Sequence, residues 1–170
     1  MEDRGQKVLE LLDSAGQRLH RLLTRLSGSE QATSDLFQEL FVRLCNSRGL
    51  EKADDPMAYA WRSAVNLAFE WRRNRKKAFV PLEEEFLPAE NQPVALEHMV
   101  RAEEMEQVLE GLAKLPPVAR EVLVRRYLEQ EPYEEIARRL GKKPQHLRAI
   151  CSKALARLRV LTASDVKVSP

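Results

Sequence analysis

The sequence predicts an all-α protein made of two small helical domains and an acidic, proline-containing linker between them. Apolar residues recur at helical spacing along most of the 170 residues, no useful stretch alternates like a β-strand, and glycine is scarce at six. Residues 78–96 hold three prolines among glutamates and show no helical period, which is typical of an extended linker. We therefore expect one domain at residues 1–77 and another at residues 97–170.

Charge is separated into blocks along the chain, although the net charge is only +2. The segment between Leu112 and Arg159 contains twelve Lys and Arg but only five Glu, whereas residues 78–100 contain no Lys or Arg. Hydrophobic residues make up 44% and charged residues 32%, as in a packed, helix-rich protein. Separated charge blocks indicate partners of opposite sign.

Several classes of protein are disfavoured by what the sequence lacks. The segment Met1–Gln17 is charged and amphipathic, unlike a signal peptide, and no apolar run approaches a membrane span. Cys45 and Cys151 lack the spacing of a zinc site and read as small buried residues in a reduced compartment. No phosphate loop, nucleophile elbow or triad spacing is present. We expect a cytoplasmic protein that is not an enzyme and needs no cofactor, metal or membrane insertion.

Two amphipathic helices are expected at the start of the N-terminal domain. The first carries apolar residues from Val8 to Leu26 and ends near Ser27–Gly28. The second is expected to be capped by Thr33 or Ser34. Its outer face carries Asp35, Gln38, Glu39 and Arg43. Such a face is solvated by default, but an acid-lined helix edge can also meet a protein partner.

A third helix is expected from Pro56 to Lys77, with Asp55 as its N-cap. It holds four of the ten aromatic residues, namely Tyr59, Trp61, Phe69 and Trp71, and it ends in the basic run Arg72, Arg73, Arg75, Lys76 and Lys77. In one interpretation the rings are core and the cations favour the helix C-terminus through its dipole. In the other, cations follow phosphates and rings stack on unpaired bases of single-stranded DNA. Composition leaves both open.

The C-terminal domain is expected to end in two helices joined by a very short turn, between Pro132 and Arg159. A helix from Leu96 to Leu115, stopped by Pro116–Pro117, and another that includes Tyr127 would precede them. In the hairpin, Gly141 supplies a positive φ and Pro144 opens the second helix.

That second helix has one apolar face and one polar face. The inward set is Leu147, Cys151, Ala154, Leu155 and Leu158; the outward set is Gln145, His146, Ala149, Ser152 and Lys153, flanked by Arg148, Arg157 and Arg159. This is typical of a helix-turn-helix whose second helix enters the DNA major groove. An ordinary helical hairpin with a solvated charged face is the alternative.

Four motifs, in order along nearly the whole chain, resemble bacterial RNA polymerase sigma factors of the extracytoplasmic-function group. They are DLFQELFVRL at residues 35–44; AVNLA at 64–68 with RRNRK at 72–76; LPP at 115–117 with REV at 120–122; and YEEIARRLG at 133–141 with KALARLR at 153–159. This sequence departs from the family pattern at Tyr59, Lys143, Ala149 and Ile150. The departures concern which promoter is read rather than the class of protein.

The resemblance implies a role for each segment. Core polymerase, through the β′ clamp helices, would be bound by Asp35, Gln38, Glu39 and Arg43. The Asn46–Asp55 loop and the helix after it would recognise and open the −10 element, through Tyr59, Trp61, Arg62, Asn66, Arg72, Arg73, Arg75 and Lys76. The −35 element would be read at the family's base-reading positions, which here are Arg148, Ala149, Ser152 and Lys153. Gln145 and His146, on the outer face of the same helix, complete the expected DNA-binding set. The helix-turn-helix would also touch the β flap, and the acidic linker would thread the polymerase's nucleic-acid channel.

An anti-sigma factor or another regulator is a further partner that the resemblance implies. Two other classes of function stay open at this point. One is a helix-turn-helix regulator that acts without polymerase, and the other is a polymerase-binding adaptor that has lost its DNA contact. The acidic linker and the N-terminal domain argue against the first class. The resemblance implies that the linker mimics a nucleic-acid strand in the polymerase channel, and a repressor has no use for such a mimic.

Overall fold

The computed structural model describes the backbone of residues 2–78 and 93–166 and the side chains of residues 3–75 and 101–163. These described residues form eight α-helices and one π-helical segment, with no strand among them. The predicted all-α class is confirmed. The chain divides into two compact units, Met1–Asn74 and Arg75–Pro170, here the N-terminal and C-terminal units. The predicted linker lies outside the described residues from 79 to 92.

The N-terminal unit is formed by four helices. They are α1 (Glu2–Ser27), α2 (Glu30–Asn46), α3 (Arg48–Glu51) and α4 (Pro56–Ala78), of which α4 extends beyond the unit. The apolar stripe of α1 is buried against α2, and α4 adds a stripe of small and aromatic residues. The buried stripes consist of Val8, Ala15, Leu19, Leu22, Leu23 and Leu26 in α1, Leu36, Leu40 and Leu44 in α2, and Ala60, Trp61, Ala64, Val65, Ala68 and Phe69 in α4.

The start of α2 differs from the sequence prediction. Ser29 is the N-cap, with extended backbone (φ −144°) and a side-chain oxygen that accepts from the Ala32 amide at 3.2 Å. Thr33 lies buried inside the first turn, where its hydroxyl donates to the Ser29 carbonyl at 2.7 Å. The proposed cap at Thr33 or Ser34 was therefore wrong, because α1 ends at Ser27, Gly28 (φ 71°) turns the chain, and the next residue can already cap.

The predicted loop between α2 and α4 contains the single-turn helix α3. The Ser47 hydroxyl accepts from the amides of Gly49 and Leu50, at 3.1 and 3.3 Å, and thereby caps it. Leu50 turns inward and is buried. At the start of α4, an Asp55 carboxylate oxygen accepts from the Ala58 amide at 3.0 Å, so the predicted cap of α4 is confirmed.

The C-terminal unit packs three helices on a long last one. The elements are α5 (Pro93–Ala113), α6 (Pro117–Leu123), a π-helical segment (Val124–Leu128), α7 (Tyr133–Leu140) and α8 (Pro144–Val166). Helices α5, α6 and α7 all contact α8. Helix α5 begins at Pro93 rather than at the predicted Leu96, since proline is well suited to the first helical position. No helix in the described part of the chain is both long and apolar enough to cross a membrane.

A buried ion network fixes the chain between the π-helical segment and α7. The Arg125 side chain is 1% exposed, and its guanidinium donates to Glu121 at 3.1 Å and to Glu131 at 3.3 Å. Arg139 of α7 lies 3.5 Å from the same Glu131 carboxylate. Burial lowers the pKa of Arg125, and the two carboxylates oppose that effect. The wider π turn was not expected from the sequence, which predicted one continuous helix through Tyr127.

Candidate functional site

The turn of the predicted helix-turn-helix is built as the sequence indicated. Gly141 ends α7 in the left-handed conformation, with φ 61° and ψ 34°, and its amide donates to the Ala137 carbonyl. Pro144 is the first residue of α8, and the Leu147 amide donates a hydrogen bond to the Lys143 carbonyl at 3.2 Å. A residue with a Cβ would be strained at that positive φ, so glycine is suited to end α7 there. The turn is short, because α8 already begins at Pro144.

The polar face of α8 lies outward over its whole predicted length. Of the predicted inward set, Leu147, Cys151 and Ala154 are buried, whereas Leu155 and Leu158 are half-buried. All six predicted −35 residues are exposed: Gln145, His146, Arg148, Ala149, Ser152 and Lys153. The predicted division of this helix into a packing face and an open face is confirmed, and the roles of the individual side chains stay predictions.

Arg148 is held by the helix before it, a contact that sequence reasoning missed. Its Nη2 lies 3.2 Å from Glu134 Oε1, and its guanidinium carbon lies 5.2 Å from the centroid of the Tyr133 ring. A second guanidinium, that of Arg126, lies 4.8 Å from the same centroid. The only signal in the sequence was the Tyr133–Glu134 pair at the start of α7, which looks like an ordinary first helical turn.

The Tyr133 ring has neighbours other than Arg148. A hydrogen bond with the buried Cys151, joined by partial burial, raises the pKa of the Tyr133 phenol above its ordinary value. Arg126 is fixed as well, because its Nη1 donates to the Glu131 carbonyl at 3.2 Å. Arg126 and Arg148 thus share one ring, which lies beside the open face of α8.

The predicted polymerase-binding face of α2 is exposed and partly paired. Asp35, Gln38, Glu39 and Arg43 all lie at the surface. Arg43 donates to Glu39 and to Glu70 of α4, both at 2.8 Å. These contacts raise the pKa of Arg43, and the hydrogen bond from Arg43 lowers the pKa of Glu70. Arg43 thus ties α2 to α4, while the rest of the face keeps its acidic character.

Two of the residues predicted to meet the −10 element lie in the core. Trp61 is 1% exposed and Arg72 is 6% exposed. Arg72 Nε donates to the Leu26 carbonyl, and its Nη2 donates to the Ser27 carbonyl at 3.2 Å. The prediction of a DNA-facing Trp61 and Arg72 is corrected, because the ring fills the helix packing and the guanidinium satisfies the last carbonyls of α1.

The other −10 candidates with described side chains are exposed or half-buried. Tyr59 is half-buried, and its hydroxyl lies 2.6 Å from the Ser47 hydroxyl, which joins α4 to the cap of α3. A Cβ on Gly49 would lie 2.7 Å from that phenol oxygen, so glycine permits the contact. Four further candidates are exposed, namely Arg62, Asn66, Arg73 and Arg75. The side chain of Lys76 lies outside the described residues.

These features define a two-unit helical protein with an open helix-turn-helix, a class that reads double-stranded DNA. Within the described residues, no group of three or more His, Cys, Asp or Glu could hold a metal ion. Two family models match the chain: "Sigma-70 region 2" over residues 11–78 and "Sigma-70, region 4" over residues 111–160. The chain therefore belongs to the sigma-70 family.

Two known proteins similar to this chain are a curated relative and a solved structure. The ECF RNA polymerase sigma factor SigE of Mycolicibacterium smegmatis is 31% identical over 138 residues, which are 79% of this chain and 53% of that protein. This chain thus spans about half the length of that curated relative. The sigma factor RpoE of Bartonella quintana, solved with the anti-sigma factor NepR, aligns over 100% of both chains with 19% identity and a TM-score of 0.46. The two family models and the match to SigE confirm the predicted resemblance to extracytoplasmic-function sigma factors.

Proposed function

We propose that this protein is a sigma factor that binds core RNA polymerase and directs promoter-specific initiation of transcription. The observation that carries the proposal is the presence of region 2 and region 4 in one chain, in that order. In such a role the polymerase supplies the catalysis and this chain supplies recognition. The proposal therefore includes a cytoplasmic protein without a cofactor or an enzymatic activity of its own.

The −35 element would be read by the outer face of α8. A guanidinium can bind both acceptors of a guanine at once, whereas an ammonium is a point charge, so Arg148 is the main base reader in this proposal. Lys153 lies five residues further along the same exposed face and can reach base edges or phosphates in the same groove. Contacts of Lys142 and Arg157 with phosphate would position the helix without reading sequence.

The −10 element would meet the exposed set on α4. Arg62, Asn66, Arg73 and Arg75 offer cations and an amide for phosphates and unpaired bases. Tyr59 would act from its anchored place beside α3. With Trp61 and Phe69 buried, base stacking by this helix would depend on Tyr59 and the half-buried Trp71.

Core polymerase would dock on the outer face of α2. Asp35, Gln38 and Glu39 are exposed there, and Arg43 keeps α2 in place on α4. The β′ clamp helices are the partner in this proposal, with the β flap as the partner of the C-terminal unit. The proposal extends to an anti-sigma factor or another regulator as a further partner.

A gel shift of labelled promoter fragments with and without core polymerase tests the proposal. A sigma factor forms a sequence-specific complex only when core polymerase is added, and Arg148→Ala weakens that complex. A specific complex without polymerase would instead identify an independent helix-turn-helix regulator. Association with polymerase that brings no sequence preference would identify an adaptor. Either of these results contradicts the proposed function.

A further inference from the structure

The contact between α7 and Arg148 has a consequence for base reading. An arginine side chain on an exposed helix face has many rotamers, and fixing one of them costs free energy when the base is bound. In this structure Glu134 and the Tyr133 ring already hold the guanidinium, at 3.2 and 5.2 Å. Part of that ordering cost is therefore met before DNA arrives.

The geometry leaves the donors of Arg148 available. Glu134 engages Nη2 alone, which is one nitrogen of a guanidinium with five N–H donors. The Arg148 and Glu134 side chains are 51% and 68% exposed, so the pair lies at the surface that would face the groove. The guanidinium carbon of Arg148 lies over the Tyr133 ring. A guanidinium held against a ring samples fewer orientations, which favours the two-pronged recognition of guanine.

We propose that Tyr133 and Glu134 are positioning residues that orient Arg148 and thereby set base preference within the −35 element. This inference rests on the proposed function, since it concerns how the same face discriminates between base pairs. Glu134 works against affinity at the same time, because its negative charge lies near the phosphates that the face would approach. Removing Glu134 therefore has opposite effects on preference and on general binding.

The experiment uses the full chain bound to core polymerase and promoter fragments randomised at the −35 element. Bound fragments are sequenced, and affinities for a selected and a scrambled −35 element are measured over a range of salt concentrations. The variants are Glu134→Gln, Tyr133→Leu, Tyr133→Phe and Arg148→Ala. Glu104→Gln is the charge-matched control, because Glu104 is an exposed acid of the same unit, on α5.

Glu134→Gln and Tyr133→Leu should each lower discrimination at one base pair by about twofold to fivefold, the range for losing one exposed ion pair or ring contact. Binding of Glu134→Gln to the scrambled element should stay the same or rise. Tyr133→Phe keeps the ring and should retain the wild-type preference, as should Glu104→Gln. In the Arg148→Ala background, Glu134→Gln should have no further effect on preference, because both act through one side chain.

The possible failures are distinguishable. A wild-type holoenzyme without any −35 preference overturns the proposed function together with this inference. A selective wild type whose preference survives in Glu134→Gln and Tyr133→Leu overturns the inference alone. An equal loss of affinity for all sequences in these variants also overturns it, because that pattern indicates a folding defect or general electrostatics.

Discussion

Arg72 offers the sharpest distinction between a structural and a DNA-binding role for the basic end of α4. The residue is 6% exposed, and its guanidinium donates to the last carbonyls of α1, those of Leu26 and Ser27. We expect Arg72→Met to destabilise the N-terminal unit. The neighbouring substitution Arg73→Met should leave stability unchanged, since Arg73 is exposed.

The magnitude follows from the contacts that are lost. A hydrogen bond from a charged donor contributes about 1.5–3 kcal/mol, and a buried carbonyl left without a donor costs about 1–3 kcal/mol. Against this, methionine spares the desolvation of a buried cation. The net loss should be about 2–4 kcal/mol in the free energy of unfolding. For a unit of this size, even 2 kcal/mol lowers Tm by roughly 8–16 °C.

Tryptophan fluorescence is the suitable assay. The chain has only two tryptophans, Trp61 and Trp71, and both lie in α4 within the N-terminal unit. Thermal and urea unfolding followed by their emission therefore report this unit. An unchanged midpoint for Arg72→Met, or an equal loss in Arg73→Met, would refute the structural role assigned to Arg72.

Three further predictions concern other parts of the molecule. Charge reversal at Asp35 and Glu39 should weaken a pull-down of core polymerase while helical circular dichroism stays intact; undiminished capture would remove α2 from the proposed interface. Arg73→Ala should reduce open-complex formation and flatten its salt dependence, and wild-type permanganate reactivity of promoter thymines would contradict this. Arg125→Met should leave Glu131 with a buried, poorly compensated charge and cost the C-terminal unit about 3–5 kcal/mol; an unshifted thermal transition in circular dichroism would argue otherwise.

Features set by neighbours in the sequence were predictable. Gly141, Pro144 and the apolar period after Leu147 lie within a few residues of one another, and together they define the turn and both faces of α8. Asp55 capped α4 as expected for the same reason. Helical periodicity and capping involve residues within one or two helical turns of each other. The information that determines these features can therefore be read from one sequence.

Features set by distant residues were not predictable. Arg72 belongs to a run of cations that looks solvated, and its burial depends on carbonyls at the end of α1, far away along the chain. Arg148 meets Glu134 across the turn, and neither residue type signals that contact. In each case tertiary packing decided among locally equivalent options.

Run-off transcription tests the central claim most directly. Bacterial core polymerase is incubated with this protein and a library of promoter fragments that vary at the −10 and −35 elements. The account predicts defined transcripts from a subset of fragments, only when both components are present. It also predicts that Arg148→Ala changes which −35 elements belong to that subset. If no fragment yields a transcript, or if transcription starts equally well without this protein, the assignment as a sigma factor is contradicted.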